Sequence, residues 1–360
     1  MTILTIAFII SFAITTLLVR YEHIHTHFSG DSDFNSPQKF HNTNISRVGG
    51  LAILISLLCG GISRYFLKET GGTEILLLVL VSIPAFFVGL AEDVTKKAGV
   101  KIRFLGICIS ATLGGFVFNN WINSIGIELF DPLFLIPFVA IAFTVFAVCG
   151  LTNAYNIIDG FNGLASMVGV LTLLSLSYVG FQTNDTLVFI LGMTLIGAIL
   201  GFFFWNYPKG KIFLGDGGAY LIGFWIAFIS ILLVTRNHSV SPLYALLVNA
   251  YPVVETLFTI WRRKFHKNKN PSIADDMHLH TLIYRRALKW EESEKVGIVS
   301  KSANSRTSPY LWMLSSFSII AASIFWKNSL LLSLSFIAFT FIYTSVFLTI
   351  IRFKIPNWMR

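Results

Sequence analysis

Apolar residues fill eleven windows of the chain, at about 2–20, 48–67, 74–91, 103–120, 131–149, 164–181, 186–204, 217–235, 240–261, 310–326 and 328–351. Each approaches the roughly 20 residues that a helix needs to cross a bilayer. The strands of a membrane barrel would alternate with a period of two, and these runs do not. The pattern therefore predicts an all-α polytopic membrane protein with about eleven transmembrane helices. Residues 1–360 read as a single integral membrane domain, because the spans leave no room for a large soluble one. Pro84 in the third window and Pro252 in the ninth are expected to bend their helices. Glu255, three residues past Pro252, must face protein or water; the favoured reading is a structural bond to a freed backbone amide.

Composition agrees with this picture. The chain is 54% hydrophobic and 12% charged, against about 25% charged residues in a soluble domain. Charge adds an orientation. With the N-terminus placed outside, the loops at 20–47, 92–103, 150–163, 205–216 and 262–309 and the 352–360 tail hold 23 of the 27 Lys and Arg. That asymmetry puts them in the cytoplasm. It also accounts for most of the +9 net charge, so no nucleic-acid partner is expected. The first window has no basic leader and no small-residue cleavage site, and reads as a permanent anchor. Cys59, Cys108 and Cys149 lie in or beside spans, with no CxxC, and read as packing residues.

The polar residues gather in the same five loops: "SPQKFHNTNISRVGG", "GLAEDVTKKAGVKIRF", "NAYNIIDGFNGLA", "WNYPKGKIFLGDGGAYLIGF" and "DDMHLHTLIYRR". Their acids are Glu92, Asp93, Asp159, Asp216, Asp275 and Asp276. Their bases are Lys39, Arg47, Lys96, Lys97, Lys101, Arg103, Lys209, Lys211, Arg285 and Arg286. Hard oxygen donors mixed with cations suit Mg²⁺ bound to a polyanion, with Lys and Arg on the remaining phosphate oxygens. Glycines let backbone N–H groups approach phosphate. No Walker A pattern occurs, which argues against a P-loop nucleotidase.

Plainer readings exist for each cluster. Glu92-Asp93 fits a solvated helix end, the 96–103 bases fit membrane anchoring, and Asp216 fits an N-cap. His278 and His280 are two apart, unlike the i, i+4 pairs of helical zinc sites. The histidines at 23, 25 and 27 read as an interfacial patch. Asn153, Asn156, Asp159 and Asn162 fall every third residue, more than a capped helix break requires. Three of them share one helix face, and Gly160 and Gly163 weaken the helix beside them. A broken helix end lining a wet cavity fits best.

These motifs together resemble the polyprenyl-phosphate N-acetylhexosamine-1-phosphate transferases, the superfamily of WecA, MraY and WbpL (glycosyltransferase family 4). The resemblance runs from about residue 36 to 290. "NAYNIIDGFNGLA" resembles NAxNxxDGxDGL, "FLGDGGAYLIGF" resembles FxGDxGxxxxG, "RVGGLAI" resembles PRxGGLAI, and "HLHTLIYRR" with "YPVVETLFTIWRR" resembles the WbpL-like branch. Glu92 stands where the family has the first of two Asp, Asn162 where it has Asp, and Ser46 where it has Pro.

The resemblance implies a reaction at the cytoplasmic face of a bacterial inner membrane. An undecaprenyl-phosphate oxygen attacks the sugar-bearing phosphorus of a UDP-N-acetylhexosamine and UMP leaves, starting an O-antigen or other envelope glycan. It implies Asn156 and Asp216 as Mg²⁺ ligands, with Mn²⁺ as an alternative. Phe213 would stack on uracil and Asn162 would bond its edge. Lys101, His278, His280, Arg285 and, more weakly, Arg47 would hold phosphate. Glu92, Asp93 and Asp159 would position or deprotonate the lipid phosphate. Membrane lipid is a partner in any case, and a homodimer stays open. The rivals are a nucleotide-sugar or lipid transporter, which needs polar groups on both faces, and an inactive family member acting as a scaffold. A CDP-alcohol phosphotransferase would need an Arg that "IIDGFNGLAS" lacks.

Asp216→Ala is expected to abolish turnover, and Asp93→Asn to leave part of it, in an assay of UMP release. A fully active Asp216→Ala enzyme would sink the metal assignment.

Overall fold

A computed structural model describes residues 2–23, 45–266, 277–288 and 302–352. Helices α1 (Thr2–Arg20), α2 (Gly49–Phe66), α3 (Gly72–Thr95), α4 (Val100–Val117), α5 (Pro137–Ile158), α6 (Leu164–Gln182), α7 (Thr186–Asn206) and α8 (Gly215–Arg236) form the first eight spans. The ninth is a pair, α9 (Pro242–Val248) and α10 (Ala250–His266), bent by 75°. A short α11 (Leu279–Leu282) runs into a π-helical turn to Leu288, and α12 (Ser302–Phe325) and α13 (Ser329–Ile351) complete the chain. Among the described residues ten helices are long and apolar enough to cross a membrane, and eleven spans result when the bent pair counts as one. The protein is an all-α polytopic membrane protein.

The element boundaries shift the polar clusters in a consistent way. α3 runs on to Thr95, so Glu92 and Asp93 sit on a helix rather than in a loop. α4 starts at Val100 and carries Lys101 and Arg103. α5 begins later than its apolar window and ends at Ile158, so Asn153 and Asn156 occupy its last turns and Asp159 is its C-cap. The end of the loop expected at 262–309 is helical from Ser302 onward.

α8 is apolar on every side and almost wholly enclosed, as expected of a helix at the centre of a bundle. α2, α3, α5 and α6 pack around it. Glycines allow the closest approaches. A Cβ on Gly50 would meet the Gly218 Cα and come within 2.5 Å of its amide nitrogen. One on Gly89 would lie 2.5 Å from the Gly217 nitrogen. α1 reaches α7 the same way, with Gly197 and Gly201 against its backbone and Ser11 Oγ donating to the Ala198 carbonyl at 2.6 Å.

The two proline expectations resolve differently. After Pro84 the Ala85 amide donates to Ser110 Oγ at 2.9 Å, a partner on the neighbouring helix. The ninth span bends at Asn249, three residues before Pro252. Pro252 sits in the first turn of α10, where a missing N–H costs nothing. Asn249, 1% exposed, serves the break itself: its amide donates to the Ala245 carbonyl and to Ser230 Oγ. Irregular backbone at membrane depth is thus enclosed by protein.

Gly50→Ala is expected to destabilise the protein by about 1–3 kcal/mol, the usual range for overpacking. Gly150→Ala, where a Cβ meets nothing within 4 Å, is the control. Thermal transitions in detergent compare the two.

Candidate active site

The site is built on the junction of α2, α3 and α8. Main-chain hydrogen bonds join the segment before α2 to the segment before α8. Phe213 N donates to the Ser46 carbonyl (2.8 Å), Gly49 N to the Phe213 carbonyl (3.0 Å) and Gly50 N to the Leu214 carbonyl (2.9 Å). Gly215 then turns into α8 with φ +78°, and a Cβ there would strike the Arg47 carbonyl and lie 2.6 Å from Asp93 Oδ2. Only glycine satisfies both demands.

Asp93, 1% exposed, caps α8 from outside that helix. Its Oδ1 accepts from the Asp216 amide and its Oδ2 from the Gly217 amide, each at 3.0 Å. Two of the orphan donors of a helix start are thereby satisfied by a carboxylate, which the helix dipole also favours. Arg47 lies between acids, with Nε 3.6 Å from Asp93 Oδ1 and Nη2 3.5 Å from Asp216 Oδ1. Arg103 Nη1 donates to Asp216 Oδ2 at 2.6 Å, and Tyr220 acts electrostatically on the same arginine.

α5 brings the next acid. A Cβ on Gly223 of α8 would lie 2.9 Å from Thr152 Cα, which sets the register of the two helices. Asp159 follows Thr152 by seven residues and Asp216 precedes Gly223 by seven, so both stand about 10 Å beyond the contact. Burial pushes the Asp159 carboxyl up to about 8; Arg47 opposes this, and Asp216 and Asp93 add to it.

The turn after Asp159 meets the histidine element. A Cβ on Gly160 would be 2.8 Å from His280 Nε2, and the Phe161 ring stands edge-on to His280 at 5.4 Å. The His278 and His280 rings are parallel within 13°, with centroids 5.2 Å apart. Asn162 is 9% exposed and holds the neighbouring loop: its side-chain amide donates to the Pro208 carbonyl at 3.3 Å. Asn304 Oδ1 accepts from its backbone amide, and Ser308 Oγ donates to its carbonyl. Asn206 completes the bracket, accepting from Gly163 N at 2.6 Å and donating to the Ile212 carbonyl at 2.8 Å. Phe213, half-buried, lies in that same loop.

Most of the residues singled out from the sequence therefore converge at one end of the bundle. Arg47, Asp93, Asp159 and Asp216 form one charge cluster. Glu92, half-buried, acts electrostatically on Arg103. His278 and His280 dock through the Asp159–Phe161 turn, with Arg285 half-buried on the π turn that follows. Asn156 lies one turn before Asp159 on α5. Lys101 differs: it is exposed on the first turn of α4. Lys39, the histidines at 25 and 27, Asp275 and Asp276, and the side chain of Arg286 lie outside the described residues.

Arg103 is the basic residue of α4 that reaches the acids, and charge topology alone had hidden it. Its signal is periodic. Gly106, Ile107, Ser110, Ala111 and Gly114 are buried at +3, +4, +7, +8 and +11 from Arg103, so it heads the stripe that faces the bundle. Lys101, two residues away, points elsewhere.

A divalent cation fits the donor set in one specific way. Among the described residues no three acidic, histidine or cysteine side chains converge as a self-sufficient cage. Asp216 offers hard oxygens that two arginines now neutralise, and a buried Oε2 of Glu92 has no hydrogen-bond partner. Such a set suits Mg²⁺ sharing one or two protein oxygens with a phosphate ligand.

Comparison with known proteins agrees with the motifs. The description of glycosyl transferase family 4 matches residues 75–234. An undecaprenyl-phosphate alpha-N-acetylglucosaminyl 1-phosphate transferase of Salmonella typhi is 30% identical over 258 residues, covering 69% of this chain and 67% of that protein. The chain belongs to glycosyl transferase family 4. Two further family relatives are similar. A probable undecaprenyl-phosphate N-acetylglucosaminyl 1-phosphate transferase of Bacillus subtilis is 29% identical, with 70% and 69% of the two chains covered. A phospho-N-acetylmuramoyl-pentapeptide-transferase of Clostridium botulinum is 32% identical, over 59% of this chain and 65% of that one.

Arg103→Ala is expected to lower activity about tenfold or more beyond Lys101→Ala, because a hydrogen bond to a charged group contributes ~1.5–3 kcal/mol. Initial rates of the two purified variants decide it.

Proposed function

We propose that this family 4 protein transfers N-acetylhexosamine 1-phosphate from a UDP-sugar to undecaprenyl phosphate, at the cytoplasmic face of a bacterial inner membrane. The observation that carries this is the convergence of residues from all five polar loops into one cluster of acids, arginines and histidines at one end of an apolar bundle. The names of the relatives support undecaprenyl phosphate as the acceptor and an N-acetylglucosaminyl 1-phosphate group as what is transferred; the UDP-sugar donor is part of the proposal, with N-acetylglucosamine as the default sugar.

An oxygen of the lipid phosphate bonds to the sugar-bearing phosphorus. The bridging bond to the uridine-bearing phosphate breaks, and UMP leaves with the electron pair. The second pKa of a phosphate monoester is about 6, so the nucleophile is largely ionised at neutral pH. The work left to the protein is to bring two anions together. Arg47 and Arg103, now paired with Asp216, supply positive charge on one side; His278, His280 and Arg285 supply donors on the other. Asp159 and Glu92 position the lipid phosphate, and Asp93 holds the start of α8 so that Asp216 stays in place. Phe213 stacks on uracil, while Asn162 shapes the loop that carries it. When bound, Mg²⁺ or Mn²⁺ on Asp216 and Asn156 would neutralise the pyrophosphate and the departing UMP. The polyprenyl tail lies along the lipid-facing side of α10, where Leu257, Ile260 and Trp261 are exposed.

The test uses the purified protein in membranes containing undecaprenyl phosphate, with Mg²⁺ and a panel of UDP-N-acetylhexosamines. UMP and a lipid-linked sugar should form together, and both should vanish with EDTA. No UMP release with any sugar would overturn the reading in favour of a scaffold.

A further inference from the structure

Glu255 lies on α10, six residues past the bend, and is completely enclosed. A carboxylate in that setting requires partners for both oxygens. Its Oε1 accepts from the Leu279 amide at 3.3 Å and lies 3.1 Å from His278 Nδ1. Its Oε2 accepts from the Tyr343 hydroxyl of α13 at 2.9 Å. Thr259, one turn along α10, brings its hydroxyl within 3.3 Å of the same imidazole nitrogen.

The amide of Leu279 identifies Oε1 as an acceptor, so the histidine must be the donor in the Oε1–Nδ1 contact. The proton of a neutral His278 therefore sits on Nδ1. With Nδ1–H held by Glu255, Nε2 on the opposite side of the ring faces away from α10, and in the imidazolium form it is the second N–H donor, the one a phosphate can use. The ring plane is constrained as well. His278 lies parallel to His280, and His280 abuts Gly160 beside Asp159. One buried carboxylate thus reaches the catalytic turn through two stacked rings.

We propose that Glu255 is a positioning residue: it sets the tautomer and ring orientation of His278, and Tyr343 holds it in the geometry to do so. The Leu279 bond adds a second function, tethering the start of α11 to α10 so that the histidine element arrives in one register. The inference rests on the reading of His278 as a phosphate-binding residue. It extends that reading to the buried side of α10 and to α13, neither of which carries a residue previously assigned to the phosphate-binding cluster.

Glu255→Gln keeps the shape and loses the obligate acceptor, since its amide group can donate to Nδ1 and favour the other tautomer. It is expected to lower kcat by ~10–100-fold, the usual effect of losing an orienting partner, with little change in KM for the UDP-sugar. Tyr343→Phe is expected to act in the same direction and more weakly. The loss should be absent on a His278→Ala background, because the two residues act through one ring. A Glu255→Gln enzyme with the kcat of the wild type, or losses that multiply in the double variant, would overturn the proposal. If Glu255→Gln fails to fold, Tyr343→Phe carries the kinetic test. A second readout is independent of turnover. In protein carrying ¹⁵N-histidine in nanodiscs, the signal assigned to His278 by its loss in His278→Ala should report a proton on Nδ1. An Nε2-protonated neutral ring there would overturn the proposal even if the wild type released no UMP, whereas that lack of release would count against the transfer reaction alone.

Discussion

A helix that begins inside a membrane protein must find acceptors for its first amides, and α8 finds two of them on Asp93. The rest of the site hangs on that contact. It holds the ends of α3 and α8 together at the level of Asp216, and it requires glycine at 215 and 217, where a side chain would intrude on Arg47, Asp93 or α3. Gly50 and Gly89 then bring α2 and α3 against the same turn. The double glycines therefore serve helix packing directly. Any approach of phosphate to the backbone there is a second use of space already close to full.

Bringing Asp93, Asp159 and Asp216 together in a poorly solvated place has an electrostatic cost, visible in the raised Asp159 carboxyl. Two arginines offset it: both pair with Asp216, and Arg47 also pairs with Asp93 and opposes the shift at Asp159. An acid neutralised by flexible guanidinium groups is different from one neutralised by a rigid scaffold. Under the proposed function, a cation taking their place on the carboxylate would free the arginines for a phosphate, with little change in the charge balance of the cluster. The electrostatics of the resting state and of a loaded site are in that sense interchangeable.

Much of this was legible in the chain. Hydropathy gave every span, because crossing a bilayer demands a length and a composition that few other structures share. The three-residue rhythm of Asn153, Asn156 and Asp159 marked a helix end with one polar face, and α5 has it. Other features were hidden for identifiable reasons. Arg103 looked like one more anchoring charge until its stripe of small buried residues was followed. Asn249 bends the ninth span without proline, through side-chain bonds to partners on two helices that no local pattern encodes. Asn162 resembled a base reader, yet its amide holds a loop 46 residues away in sequence. Glu255 was expected to bond a backbone amide freed near Pro252; it accepts instead from the Leu279 amide and the Tyr343 hydroxyl and contacts His278, all on distant segments. Long-range pairing is what single-sequence periodicity cannot contain.

The turn between α5 and α6 has one more consequence. The match to the family ends at residue 234, and Glu92, Asp93, Asp159 and Asp216 all precede that point. Yet the backbone groups of the turn at Asn162 and Gly163 are met by Asn304, Ser308 and Trp312 of α12. The region that defines the family is therefore not a self-sufficient module. Transplanted alone, it would carry the acids of the site and leave their turn unsupported, so the last third of the chain belongs to the catalytic unit as much as to the membrane anchor.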